Sequence, residues 1–180
     1  MNDRHVALLR GVNVGTAKRV AMADLRNLVE ELGYGDVRTL LNSGNVVFTA
    51  RAGSSGDAAG RIEKAIATRL GVETRVTVLK GKDVAAAVRD NPLASVADDP
   101  KRLLLMAAPD PKGLARLKPL LKERWAPEAF ALGPRVAYLW CAEGLIESRL
   151  WAAANRQLGN IGTARNLATM TKLVALIEGS

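Results

Sequence analysis

The chain has 180 residues, a formal net charge of +8 and a pI near 10.1, with 48% hydrophobic and 24% charged residues. Those proportions are ordinary for a globular protein and do not indicate disorder. No apolar run approaches the roughly 20 residues that cross a bilayer, and a single cysteine, Cys141, cannot form an internal disulfide, so a cytoplasmic protein is expected.

In chain order, "HVALLRG" (residues 5–11) reads as a strand buried on both faces. "MADLRNLVEELG" (22–33) reads as a helix, because Leu25, Leu28, Val29 and Leu32 form one stripe and Gly33 follows as a stop signal. "DVRTLL" and "NVVFTA" are short β-rich runs joined by the turn signal "NSG". A Gly/Ser/Ala loop precedes the helix "RIEKAIATRLG", with Ile62, Ile66 and Leu70 on one face, and "TRVTVL" supplies a fourth strand. The order β-α-β-β-α-β predicts a ferredoxin-like half. "KDVAAAVRDNP" adds a short helix ended by Pro92, which closes a first domain at residues 1–92.

The loop "LASVADDP" marks the boundary, and a second half spans 100–180. There "KRLLLMAA" predicts a strand, "PKGLARLKPLLKERW" a helix broken or kinked at Pro119, "AFALG" and "RVAYLWCA" a hairpin about Gly133-Pro134, and "LIESRLWAAANRQLG" another helix. No last strand is evident. "NLATMTKLVALIEG", apolar at Leu167, Met170, Val174 and Ile177, closes the half as a helix. The expected fold class is therefore α+β, with two ferredoxin-like halves, the second incomplete and closed by a C-terminal helix.

The positive charge is spread evenly. Residues 1–90 hold 14 Lys/Arg against 10 Asp/Glu and residues 91–180 hold 12 against 8, so each half carries +4. No basic tail or like-charge block points to nucleic acid. Base stacking needs exposed aromatics on central strands, and the whole chain has seven aromatics, with only Phe48 in "NVVFTA". Nucleic-acid binding is thus expected to be weak and confined to phosphate contacts. A protein-interaction domain is a further alternative that the residues do not favour. Whether the chain is an enzyme, and its oligomeric state, are left open.

Catalytic sets are sparse. His5, the lone histidine, fits a satisfied contact beside a buried strand, and with one His and one Cys there is no zinc set and no nucleophile–base pair. Asp98-Asp99 reads as a turn or helix entry, and Cys141 as a small buried hydrophobe. No metal or cofactor is expected. The segment "RGVNVGTAKR" (10–19) carries more. It lacks the residues of a Walker A or a dinucleotide-binding loop, but two glycines about Asn13 can turn backbone N–H groups into an anion-binding concavity. Lys18 and Arg19 add cations. The connection is about ten residues long against the usual 4–6. "LNSGNVVF" places Ser43 and Asn45 at a turn. "GTARNLATMTK" opens the last helix with Thr163 or Asn166 as cap and with Arg165 against the helix dipole.

"LLRGVNVG", "DVRT…LLNSGNVVF", "TARNLATMTKL" and "GLIESRL", together with the first helix, resemble the bacterial family of domain of unknown function (DUF) 1697, over essentially the whole chain from Leu8 to Leu176. Members commonly carry Trp where Leu167 stands and Lys where Arg149 stands. The resemblance implies a two-part α+β fold and no assigned activity. Arg10, Asn13, Lys18, Ser43, Asn45, Arg165 and Asn166 occur in these shared stretches and are groups that bind oxyanions or amides. They are expected to converge on a small anionic ligand, bearing phosphate or carboxylate, in a cleft between the halves.

Overall fold

The computed structural model describes residues 2–16, 18–54 and 56–179. By its internal contacts the chain divides into two compact units, Met1–Val84 with Ala175–Ser180, and Ala85–Val174. The division falls inside a helix ahead of the expected 93–100 boundary, and the end of the last helix belongs with the first unit rather than the second. The fold is mixed α+β, with two four-stranded antiparallel sheets and five α-helices among the described residues.

In the first unit, β1 (Asn2–Leu9), α1 (Met22–Glu31), β2 (Gly35–Leu40), β3 (Asn45–Arg51), α2 (Ala58–Leu70) and β4 (Val76–Lys80) follow one another. The sheet order is β2-β3-β1-β4. β1 is an inner strand, paired to β3 with Val6 opposite Val47 and to β4 with Val6 opposite Leu79. That position explains its continuous apolar run, because His5 to Leu9 are all buried. One face of the sheet, through Ala7, Leu9, Val46, Phe48 and Val76, packs on Leu25, Leu28 and Val29 of α1 and on Ile62, Ala65 and Ile66 of α2. Fully burying one such side chain contributes about 1.5–3 kcal/mol. α2 ends at Gly71, whose left-handed φ of 67° and N–H bond to the Ala67 carbonyl make a glycine stop.

α3 (Gly81–Arg89) contains the division between the units. The second unit then runs β5 (Leu103–Ala107), a 3-10 helix at Pro111–Lys122, β6 (Ala129–Leu132), β7 (Ala137–Trp140), α4 (Arg149–Gln157), β8 (Thr163–Asn166) and α5 (Leu167–Glu178), with sheet order β6-β7-β5-β8. Leu104, Met106, Ala137 and Leu139 pack on Leu114, Leu117 and Leu120 of the 3-10 helix and on Leu150 and Ala154 of α4.

Two expectations are corrected here. The second half is not incomplete, since β8 pairs antiparallel with β5 from Leu104 opposite Asn166 to Ala107 opposite Thr163. "TARN" has one β-branched residue and no apolar alternation, so its strand state comes from the ladder to β5 and not from local propensity. "PKGLARLKPLLK" is not a kinked α-helix but a 3-10 helix along its length. Pro119, with no N–H to donate, lies inside the element, and Asp110 Oδ1 caps the start by accepting from the Lys112 N–H at 3.0 Å.

Candidate functional site

The loop after β1 is anchored at its start to two neighbouring segments. The Arg10 N–H donates to the Arg75 carbonyl at 2.9 Å, and Thr74 Oγ1 donates to the Arg10 carbonyl at 2.7 Å. The Leu9 N–H donates to the Gly44 carbonyl at 2.9 Å, which sets the Ser43–Gly44 turn beside Leu9 and Arg10. Gly44 is obligatory on two grounds. Its φ is +85°, and a Cβ there would stand 2.7 Å from Leu9 Cβ and 2.8 Å from Val12 Cγ2.

Asn13 clasps the loop from within. Its Nδ2 donates to the Val20 carbonyl at 2.8 Å and to the Asn42 carbonyl at 2.7 Å, its Oδ1 accepts from the Val20 N–H at 2.9 Å, and its own N–H donates to the Lys18 carbonyl at 3.0 Å. Left-handed φ values recur at Gly11, Asn13, Gly15 and Lys18 (64°, 56°, 63° and 52°). Asparagine tolerates that region through its short polar side chain. The Gly11 and Gly15 N–H groups make no hydrogen bond among the described residues, and both residues are exposed. Lys18 and Arg19 are exposed, while Arg10 is half-buried, and desolvation pulls its guanidinium pKa below the ordinary value.

Asn45 opens β3 opposite Leu8 and is fully buried. Its Nδ2 donates to the Leu40 carbonyl at 2.7 Å and to Ser43 Oγ at 2.8 Å. Arg10, Asn13, Ser43 and Asn45 therefore gather at one end of the first sheet, with Lys18 closing the loop. The amides of Asn13 and Asn45 brace the backbone there.

Arg165 and Asn166 lie in the second unit, on β8. Asn166 Oδ1 accepts from the Thr169 N–H at 2.9 Å and caps α5. Arg165 sits opposite Leu105 and donates from Nη1 to the Ala164 carbonyl at 2.9 Å. Burial pulls its pKa down to about 10.

The remaining titratable candidates have local accounts. His5 stacks on Phe48 at 5.5 Å between ring centroids, and its Nδ1 lies 3.1 Å from the Asp3 carbonyl. Asp99 Oδ1 accepts from the Lys101 N–H at 2.9 Å, a turn contact. Among the described residues no group of three His, Cys, Asp or Glu side chains is arranged to hold a metal. Phe48, the aromatic of "NVVFTA", is fully buried, and Tyr34, Tyr138 and Trp140 are buried.

Two arrangements were not read from the sequence. Glu128, 20 residues before Ser148, accepts from the Ser148 hydroxyl at 2.5 Å and from the Leu150 N–H at 3.2 Å, while Ser148 Oγ caps α4 by accepting from the Trp151 N–H at 2.9 Å. The serine of "GLIESRL" thus starts a helix. Arg149 lies over the Trp125 ring at 5.2 Å and donates to the Arg124 carbonyl at 3.2 Å.

A family model described as "Protein of unknown function (DUF1697)" matches residues 1–138. That span includes the glycine loop and the Ser43–Asn45 turn, and ends before "GLIESRL" and "TARNLATMTKL". A solved structure of a conserved bacterial protein, SP0830 from Streptococcus pneumoniae, is similar with a TM-score of 0.76 at 21% identity, over 99% of this chain and 100% of that one. No curated protein matches the chain.

Proposed function

The chain belongs to the DUF1697 family, and from the loop geometry we propose that it binds a small ligand carrying phosphate or carboxylate at the Arg10–Lys18 loop. The observation that carries this reading is the built character of the loop. Asn13 commits its amide to the backbone at Val20 and Asn42. The exposed Gly11 and Gly15 make no N–H hydrogen bond among the described residues and share the loop with Arg10 and Lys18. Preorganised N–H groups with a partly desolvated cation suit an oxyanion. Asn13 and Asn45 act as positioning residues, and Arg10, Lys18 and Ser43 as ligand contacts. Arg165, desolvated on β8, is a further contact for an anionic group, with Asn166 setting the helix that follows it.

Each unit is also read as a ferredoxin-like half. Support comes from the strand order, in which the first strand is flanked by the third and fourth in both sheets. The reading assigns no reaction and no cofactor. A cytoplasmic setting remains our expectation, and no helix among the described residues is long and apolar enough to cross a membrane.

Thermal melts of the wild type, Arg10→Ala and Arg165→Ala with and without a panel of phosphorylated metabolites test the proposal. A charge-assisted contact contributes roughly 1.5–3 kcal/mol, so losing one arginine is expected to weaken binding about 10- to 150-fold. If no compound shifts the wild-type melt, and both variants lose stability alike in every condition, the residues are structural and the reading fails.

A further inference from the structure

The second unit carries a groove of about 480 Å³, apart from the loop just described. One wall is α4, which contributes Arg149, Ala152, Ala153 and Arg156, and the other is the chain leaving the 3-10 helix, with Glu123 and Trp125. Residues 149 and 156 are seven apart on one helix, so they share a face with about 10 Å between them along the axis. The groove therefore has a cation at each end and a short apolar floor between.

The two cations differ in how they are held. Arg149 lies over the Trp125 indole, 5.2 Å from the ring centroid, and donates to the Arg124 carbonyl. Stacking in this way leaves guanidinium N–H groups at the edge of the plane to meet an acceptor. Arg156 is exposed and forms no ion pair among the described residues. Two cations face one carboxylate, Glu123, so the lining carries a net +1. That balance accommodates two anionic ends set apart, while a dense polyanion such as a nucleic-acid backbone would meet Glu123.

We propose that this groove is a binding site for an elongated small molecule with an anionic group at each end and an apolar middle, the class of α,ω-dicarboxylates. Arg149 takes one end, Arg156 takes the other, and Ala152 and Ala153 contact the chain between. The site is independent of the Arg10 loop.

Octanedioate is a suitable probe because its two carboxylates stand about as far apart as residues 149 and 156 along the helix axis, with octanoate as the one-ended control. The Trp125 indole N–H, which donates to the Leu120 carbonyl at 2.8 Å, gives a reporter signal in a proton–nitrogen titration at low salt. Octanedioate is expected to bind about fivefold more tightly than octanoate, the scale of one exposed ion pair. Arg156→Ala should abolish that difference, and Arg10→Ala should alter neither affinity. Because Arg149→Ala also uncovers Trp125, Arg156→Ala is the decisive variant. Equal affinity for the two acids, an unchanged preference in Arg156→Ala, or no saturable shift up to about 10 mM would overturn the proposal. Any of these outcomes leaves phosphate binding at the Arg10 loop to stand or fall separately.

Discussion

Asn13 is the residue whose replacement should most damage the loop. Asn13→Ala removes two donated bonds, to the Val20 and Asn42 carbonyls, and one accepted from the Val20 N–H. Each is worth about 0.5–1.5 kcal/mol net. The residue is half-buried, so water reaches part of what is exposed, and the low end of that range applies. Alanine at a φ of 56° adds up to roughly 1 kcal/mol of left-handed strain beyond that of asparagine. The total is about 2.5 kcal/mol, or a melting-temperature loss of roughly 5–10 °C for a chain of this size. Asn13→Gly relieves the strain but not the lost bonds, and should lose less than Asn13→Ala. Thermal denaturation gives the magnitude, and amide exchange locates it, with the Val20 N–H expected to lose protection first. An Asn13→Ala protein melting within about 1 °C of wild type, with Val20 still protected, would refute the clasp.

Ser148→Ala deletes the α4 cap and leaves Glu128 without its hydroxyl donor, and should cost about 1–2 kcal/mol in urea denaturation. Gly44→Ala combines a φ of +85° with contacts under 3 Å to Leu9 and Val12, and should destabilise by about 2–4 kcal/mol in the same assay. Cys141 is buried, and desolvation raises its thiol pKa. The folded state then holds the thiol proton to higher pH than the unfolded state, so this group's contribution is intact below the unfolded pKa and falls as pH rises above it. Near pH 8 the native thiol should resist a disulfide reagent that labels it rapidly in denaturant, and rapid native labelling would contradict that placement.

The parts of the fold legible in the sequence were those set by local chemistry. The stripe Leu25, Leu28, Val29 is the buried face of α1, and Gly71 is the left-handed stop of α2. The polar turn at Ser43 and Asn45 was readable from composition, and the cap of the last helix was narrowed to Thr163 or Asn166, of which Asn166 serves. What escaped depends on distant partners. "TARN" becomes a strand only because β5, about 60 residues earlier, offers its ladder. The Asn13–Asn42 and Ser148–Glu128 contacts join residues 29 and 20 apart, and no periodicity encodes them. Asn13 stood out by its place between two glycines, but its bracing role needed the neighbouring turn.

Anion binding at the loop is tested most directly by titrating isotope-labelled protein with inorganic phosphate while following the Gly11 and Gly15 backbone amides. Both signals should move together along one saturable curve in the wild type, and Arg10→Ala should weaken that curve at least about 10-fold without changing the spectrum of the rest of the chain. If the two amides do not respond, or respond linearly and equally in Arg10→Ala, the loop is a structural connection and holds no anion.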